Sequence, residues 1–322
     1  MPVWMVTGGS GFLGRHLLAE LARSAPRDAE VVVVGRRRPE GWPADAFLRA
    51  DLGEDRDVAR ALATAAPDVV LHAAGLTPPA APDRLYRANT LATLSLLEAA
   101  RAPGRPVRIV LAGSAAELGP VAAEDLPAGE DYSCRPADAY GLSKWLATVA
   151  ALTARPPVEV VVARLFNLIG PGLAPGQAFG SFAARIAGTP DDPVRLTVGD
   201  LDARRDFLDV RDAAAAMIGL ALRGGPAQVY HVGTGRSRRV GDGLAQLIRL
   251  SGRAVRVEVR LPEGVGRGPS DSRADIRKIG AHTGWSPRIA WEQSLADLWT
   301  EAAATATRPG IHCPLPFLPR SV

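Results

Sequence analysis

Five short apolar runs, at residues 3–6, 31–34, 69–71, 109–111 and 158–162, restrict this chain more than any other feature. They are rich in Val, Ile and Leu and are apolar at successive positions, so both faces of each strand call for burial. Between them lie longer stretches with helical spacing, at 12–23, 55–65, 85–100 and 140–154. Strand, helix, strand repeated from the first residue predicts an α/β fold with a doubly wound parallel sheet. After about Arg164 the rhythm changes. Residues 170–180 read as a Gly/Pro loop, followed by helices near 181–187, 211–222 and 240–250 and strands at 195–198, 228–232 and 255–259. A last amphipathic helix puts Trp291, Leu295, Leu298 and Trp299 on one face. The tail beyond Arg308 holds four prolines and reads as an irregular strap.

At 322 residues the chain has room for about two domains or one domain with a lobe. The expected division gives residues 1–165 to the sheet domain, with 207–235 returning to it. A smaller C-terminal α/β lobe would comprise 166–206 and 236–310, with 311–322 as tail. With 47% apolar and 22% charged residues, a large core is available and global disorder is excluded. A net charge of +4, spread along the chain, gives no clustered basic stripe for nucleic acid. Cys134 and Cys313 match no metal or disulfide framework. The start lacks a basic leader, and the apolar run 213–222 is too short to span a membrane. These features predict a cytoplasmic protein without a membrane partner. No pair among His16, His72, His231, His282 and His312 has ligand spacing, so no metal is expected.

The first strand runs into Thr7-Gly8-Gly9-Ser10-Gly11-Phe12-Leu13-Gly14, with glycines at 8, 11 and 14, and then into the first helix. That context suits a dinucleotide pyrophosphate, which needs a tight turn and free backbone amides at a helix N-terminus. Gly8, Gly11, Phe12, Leu13 and Gly14 are therefore cofactor candidates. At the end of the second strand, where a carboxylate would bind a ribose 2′-hydroxyl, the chain reads Gly35-Arg36-Arg37-Arg38. The missing acid and the guanidinium forks of Arg36 and Arg37 favour NADP(H) over NAD. Asp51 and Leu52 are candidate adenine contacts. Ala73, Ala74 and Gly75, after His72, are small enough for a cofactor to come close.

Lysine is scarce: only Lys144 and Lys278 accompany 36 arginines. Lys144 lies four residues after Tyr140, on the same helical face, where its ammonium would draw the phenol down from about 10 toward neutrality. Such a tyrosine exchanges protons with a hydroxyl or carbonyl. Ser114, at the C-terminal end of the 109–111 strand, is placed to hold the same oxygen.

Together these residues resemble the extended short-chain dehydrogenases/reductases that act on nucleotide sugars, the NAD-dependent epimerase/dehydratase family. The likeness spans roughly residues 3–305 and includes the glycine turn, His72–Gly75, Asn89, Ser114, Tyr140/Lys144, Arg164–Asn167, Arg205–Val210 and Tyr230–Gly233. It implies a Rossmann-type sheet, with Tyr140 as acid/base, Lys144 tuning it and contacting the nicotinamide ribose, and Ser114 holding the reacting oxygen. Asn167 and Arg205 match sugar-nucleotide contacts, and Arg267 is a candidate second diphosphate arginine. A homodimer built on the Tyr140 helix is implied too.

Dehydratases of this family carry an acid just after the catalytic Ser or Thr. Here Ala115 and Ala116 stand there, and Glu117 falls one residue late when aligned on Gly119. The segments 167–172, 179–186 and 198–207 look most like GDP-4-keto-6-deoxymannose reductases. The expected activity is reduction of a nucleotide-linked 4-keto-6-deoxy sugar by NADPH. The alternative is a nucleotide-sugar 4-epimerase with the same Ser/Tyr/Lys set; a non-enzymatic dinucleotide sensor would not need the tuned phenol.

Overall fold

The computed structural model describes residues 1–24, 28–261 and 271–307. In the first half, β1 (Val3–Thr7), α1 (Phe12–Ser24), β2 (Glu30–Gly35), β3 (Phe47–Arg49), α2 (Asp55–Ala65) and β4 (Val69–His72) follow in order. Next come α3 (Pro82–Leu85), a π-helical turn at Tyr86–Leu91, α4 (Ala92–Arg101), β5 (Val107–Ser114), α5 (Ala139–Leu152) and β6 (Val158–Leu165). The second half contains β7 (Asn167–Ile169), α6 (Ala178–Gly188), β8 (Val194–Val198), β9 (Arg204–Asp209), α7 (Val210–Arg223) and β10 (Gln228–Val232). It ends with β11 (Ser237–Arg239), α8 (Val240–Ser251), β12 (Val255–Val259), α9 (Arg277–Thr283) and α10 (Trp291–Ala306).

Among the described residues, seven strands form one parallel sheet in the order β10-β6-β5-β4-β1-β2-β3. The order reverses between β1 and β4, where carboxyl ends open a ligand crevice. Successive side chains explain why the strands are apolar on both faces. Trp4 and Val6 enter one core with α1 and α7, while Met5 between them enters the other with α2 and α4. Val110 and Ala112 likewise alternate with Ile109 and Leu111. Leu17 is fully buried against the sheet, so truncating it to Ala costs about 2–5 kcal/mol.

A third core joins α6, α8 and α10 with β8 through Phe179, Phe182, Leu196, Leu247, Leu295 and Leu298. Trp291 and Trp299 pack against it, as the apolar face of the last helix predicts. Small sheets β11-β9-β7 and β12-β8 complete this part. Two expectations change. The helix foreseen at 85–100 is divided by the π turn, and α6 begins at Ala178, inside the stretch read as loop. Strands β7, β9 and β11 carry charges or are only three to six residues long, which hides them from periodicity.

Candidate active site

The glycine turn is shaped by backbone contacts. Gly8 has φ +74°, and a Cβ there would lie 2.7 Å from the Ala74 nitrogen. A Cβ on Gly14 would lie 2.0 Å from the Gly8 oxygen, so α1 can pack this close only with glycine. Gly11 differs: it is exposed, and its Cβ would meet only the Gly8 oxygen at 3.2 Å. Its side-chain-free face lies at the start of α1, where an anion would meet amide donors. Phe12 is half-buried between two cores and Leu13 is buried, so both fix the helix start.

The remaining cofactor candidates gather on the same carboxyl edge. Ala73 and Ala74 follow β4, and a Cβ on Gly75 would lie 2.8 Å from Asn89 Oδ1. Asn89 is set in the π turn; it accepts from the Leu76 amide at 2.8 Å and donates to Ser143 Oγ at 2.9 Å. A Cβ on Gly35 would meet nothing within 4 Å, and Arg36, Arg37 and Arg38 beyond it are exposed. Asp51 closes an Asx turn on the Gly53 amide at 3.0 Å, while Leu52 packs against the sheet. A cradle that Cβ atoms would fill, at the start of α1, fits a dinucleotide. His72 is buried and bonded to Thr7 Oγ1 at 2.8 Å; burial first, then the Lys144 charge, lowers it to about 3, which makes it a neutral packing residue. Among the described residues no three His, Cys, Asp or Glu side chains gather as a metal site.

Ser114 ends β5, and Tyr140 and Lys144 stand one turn apart on α5. Asp138 caps that helix by accepting from the Gly141 amide at 2.7 Å, which fixes the turn carrying Tyr140. Lys144 is buried and donates through Nζ to the Ala112 carbonyl at 2.5 Å. The phenol departs from the sequence expectation. Burial raises Tyr140 above its ordinary value, and a hydrogen bond with Ser114 offsets this only in part. Burial also lowers Lys144 itself, against the Glu117 charge, and its ammonium is held by the Ala112 carbonyl.

Glu117 was not legible as a site residue. It lies at the end of the 3₁₀ turn Ala115–Glu117 and is fully buried. Its Oε1 accepts from the Ser114 amide at 2.7 Å, and the Ala116 amide donates to Ser114 Oγ at 3.2 Å, closing a capping box. Its Oε2 takes both Nε and Nη2 of Arg164 at 3.0 Å. Arg164 Nη1 meets His231 Nε2 at 3.1 Å, and His231 Nδ1 reaches the Ala128 carbonyl at 3.0 Å. Burial, then the Arg164 charge, lowers His231 to about 3. The signal available in the sequence was the Ser-x-x-Glu spacing of a capping box.

A cavity of about 370 Å³ opens between β9 and α6, lined by Asn167, Leu168, Phe179, Asp200, Arg205, Phe207 and Val240 among others. Asn167 donates to the Asp206 carbonyl at 3.3 Å, and Arg205 to the Arg204 carbonyl at 2.7 Å. Burial lowers Arg205, opposed by the charges of Asp200 and Asp271. Asn167 and Arg205 thus share one cavity; Arg267 lies outside the described residues. Arg15 and His16 of α1 bond to the carbonyls of Gly172 and Pro171, which tie the loop after β7 to the glycine turn.

Known proteins are similar to this chain in sequence and fold. The chain is 34% identical over 305 residues to the GDP-6-deoxy-D-mannose reductase of Pseudomonas aeruginosa, covering 90% of this chain and 93% of that one. It is 31% identical over 308 residues to the dTDP-6-deoxy-L-talose 4-dehydrogenase (NAD(P)(+)) of Kitasatospora kifunensis, covering 94% and 95%. The solved structure of RMD from Pseudomonas aeruginosa complexed with NADPH superposes with a TM-score of 0.79 at 30% identity, covering 95% of this chain and 100% of that one. The family model for the NAD dependent epimerase/dehydratase family matches residues 4–233. With a Rossmann-type sheet, a glycine cradle and Ser114, Tyr140 and Lys144 on one edge, the chain belongs to the NAD dependent epimerase/dehydratase family.

Proposed function

We propose that this protein is an NADPH-dependent reductase of a nucleotide-linked 4-keto-6-deoxy sugar. The observation that carries the reading is Ser114 and a protonated Tyr140 at the crevice, in a chain similar over nearly its whole length to a nucleotide-sugar reductase. Gly8, Gly11, Phe12, Leu13 and Gly14 would hold the cofactor pyrophosphate, with Asp51, Leu52, Ala73, Ala74 and Gly75 along the adenosine and nicotinamide path. Arg36 and Arg37 would take the 2′-phosphate, which favours NADPH over NADH. The bound cofactor supplies the hydride. Ser114 holds the keto oxygen by its hydroxyl, and Tyr140 gives that oxygen its proton as negative charge develops there. Lys144, fixed by Ala112, contacts the nicotinamide ribose and keeps a positive charge below the phenol as it becomes phenolate. Asn167 and Arg205 grip the sugar nucleotide, Arg205 at the diphosphate, with Arg267 as its second arginine.

Both readings use Tyr140, as proton donor in reduction and as base in the oxidising half of a 4-epimerase, so net NADPH consumption separates them. NADPH absorbance should fall stoichiometrically with GDP-, dTDP- or UDP-linked 4-keto-6-deoxy sugars. Absence of consumption with all three would overturn the reading, and turnover without added cofactor would favour the epimerase.

Residues 1–165 and 207–235 would then bind the dinucleotide, and 166–206 with 236–310 the substrate, in the cytoplasm where NADPH is replenished. The exposed apolar side chains Leu91, Leu94, Leu146 and Val149 on the α4–α5 face support a homodimer. Among the described residues no helix is long and apolar enough to cross a membrane.

A further inference from the structure

Glu117 and Arg164 are 0% and 3% exposed, and their ion pair is made at 3.0 Å. A buried ion pair gives no stability that two well-packed apolar side chains could not match, so stability alone does not account for it. Its geometry is directed at Ser114. Glu117 Oε1 accepts from the Ser114 amide, and the same oxygen would lie 2.8 Å from a Cβ on Gly113, which is why residue 113 carries none. The Ala116 amide meanwhile occupies an acceptor position of Ser114 Oγ, leaving the hydroxyl proton for Tyr140.

We propose that Glu117 is a positioning residue for the reaction: held by Arg164, it fixes the backbone at Ser114 and so aims the Ser114 hydroxyl at the oxygen that Tyr140 protonates. This rests on Tyr140 being the proton donor. A neutral side chain could accept the amide, but only a carboxylate also neutralises Arg164 in a site closed to water. The charge has a second effect. Tyr140 is faced by Ser114 from β5, by Glu117 from the 3₁₀ turn, and by Asp138 and Lys144 from its own helix; Glu117 and Asp138 both hold the phenol in its protonated form.

The test is Glu117→Gln, assayed with NADPH and a 4-keto-6-deoxy sugar nucleotide across pH. The expected result is a fall in kcat of about tenfold or more at nearly unchanged KM. The basic limb of the pH profile should move to lower pH, because losing the anion favours the phenolate. The double variant Glu117→Met/Arg164→Met removes both charges and restores packing; it should recover the wild-type unfolding midpoint without recovering kcat. Glu117→Asp should recover part of kcat. Wild-type kcat and pH limb in either Glu117→Gln or the double variant would overturn the proposal. If the wild type consumes no NADPH, the proposed reaction fails instead. Glu117 is then read directly, by ultraviolet titration of the phenol in wild type and Glu117→Gln with Tyr140→Phe as blank. A shift to lower pH supports its reach to Tyr140, and identical titrations refute it.

Discussion

Two groups of charged side chains stand on the same carboxyl edge of the sheet and are treated in opposite ways. Beyond β2, Arg36, Arg37 and Arg38 are exposed. Between β5 and β6, Glu117 and Arg164 are buried, and each meets the other's charge directly. A charge cancelled inside the protein acts on its neighbours' geometry; a charge left in water at a crevice is available to an incoming anion. Composition could not separate them, since arginine is abundant along the whole chain. The buried group should therefore answer to substitution through folding and chemistry, and the exposed group through ligand choice.

The largest effect should come from Tyr140→Phe, which keeps the ring and removes the proton donor. Turnover should fall about 10²–10⁴-fold while the unfolding midpoint stays within error. Full activity in that variant would remove Tyr140 from the chemistry. Next, Arg164→Ala should destabilise the fold by about 3–5 kcal/mol in denaturant titrations, because Glu117 is left charged and unpaired. A loss below about 1 kcal/mol would place the pair among ordinary surface ion pairs and erase the contrast.

Per pH unit, acid titration gives a smaller effect. His72 and His231 both sit at about 3, against an ordinary value of 6.5. The unfolded chain therefore binds these protons first, and stability falls as pH drops from 6.5 toward 3. The slope is about 1.4 kcal/mol per pH unit for each histidine. His72→Gln should reduce the measured slope by one proton's worth; an unchanged slope would mean that His72 is not held neutral. The smallest effect is that of Arg36→Gln or Arg37→Gln. Each should raise the KM for NADPH about tenfold, near 1.4 kcal/mol, leave NADH unchanged and shift stability by less than about 0.5 kcal/mol. Equal losses with both cofactors would take these arginines away from the 2′-phosphate.

The parallel sheet was legible because Trp4–Met5–Val6 and Ile109–Val110–Leu111 place adjacent side chains in opposite cores, and only unbroken apolar runs can do this. The glycine turn and the Tyr140/Lys144 spacing were legible because backbone closeness and helical period leave marks at fixed intervals. Which acceptor takes the Lys144 ammonium was not legible. Ala112 offers a main-chain carbonyl that any residue would offer, and the rise of Tyr140 comes first from burial, which depends on what packs over the ring. Strand β9 was hidden because Asp206 is buried by backbone and hydroxyl donors from Thr234, Gly235 and Ala274, contacts far apart in sequence.

The 3₁₀ turn after Ser114 also bears on how activities in this family could diverge. Three residues make one turn, so each step along it rotates a side chain by about 120°. Ala115 and Ala116 are half-buried and Glu117 is sealed inward, so one register step separates an acid aimed at the crevice from an acid used as a strut. Moving the carboxylate back to residue 116 would strand Arg164 without its partner, whereas a second acid added at 116 leaves the Glu117–Arg164 pair in place. The strut and a crevice acid can thus be gained or lost by separate single substitutions.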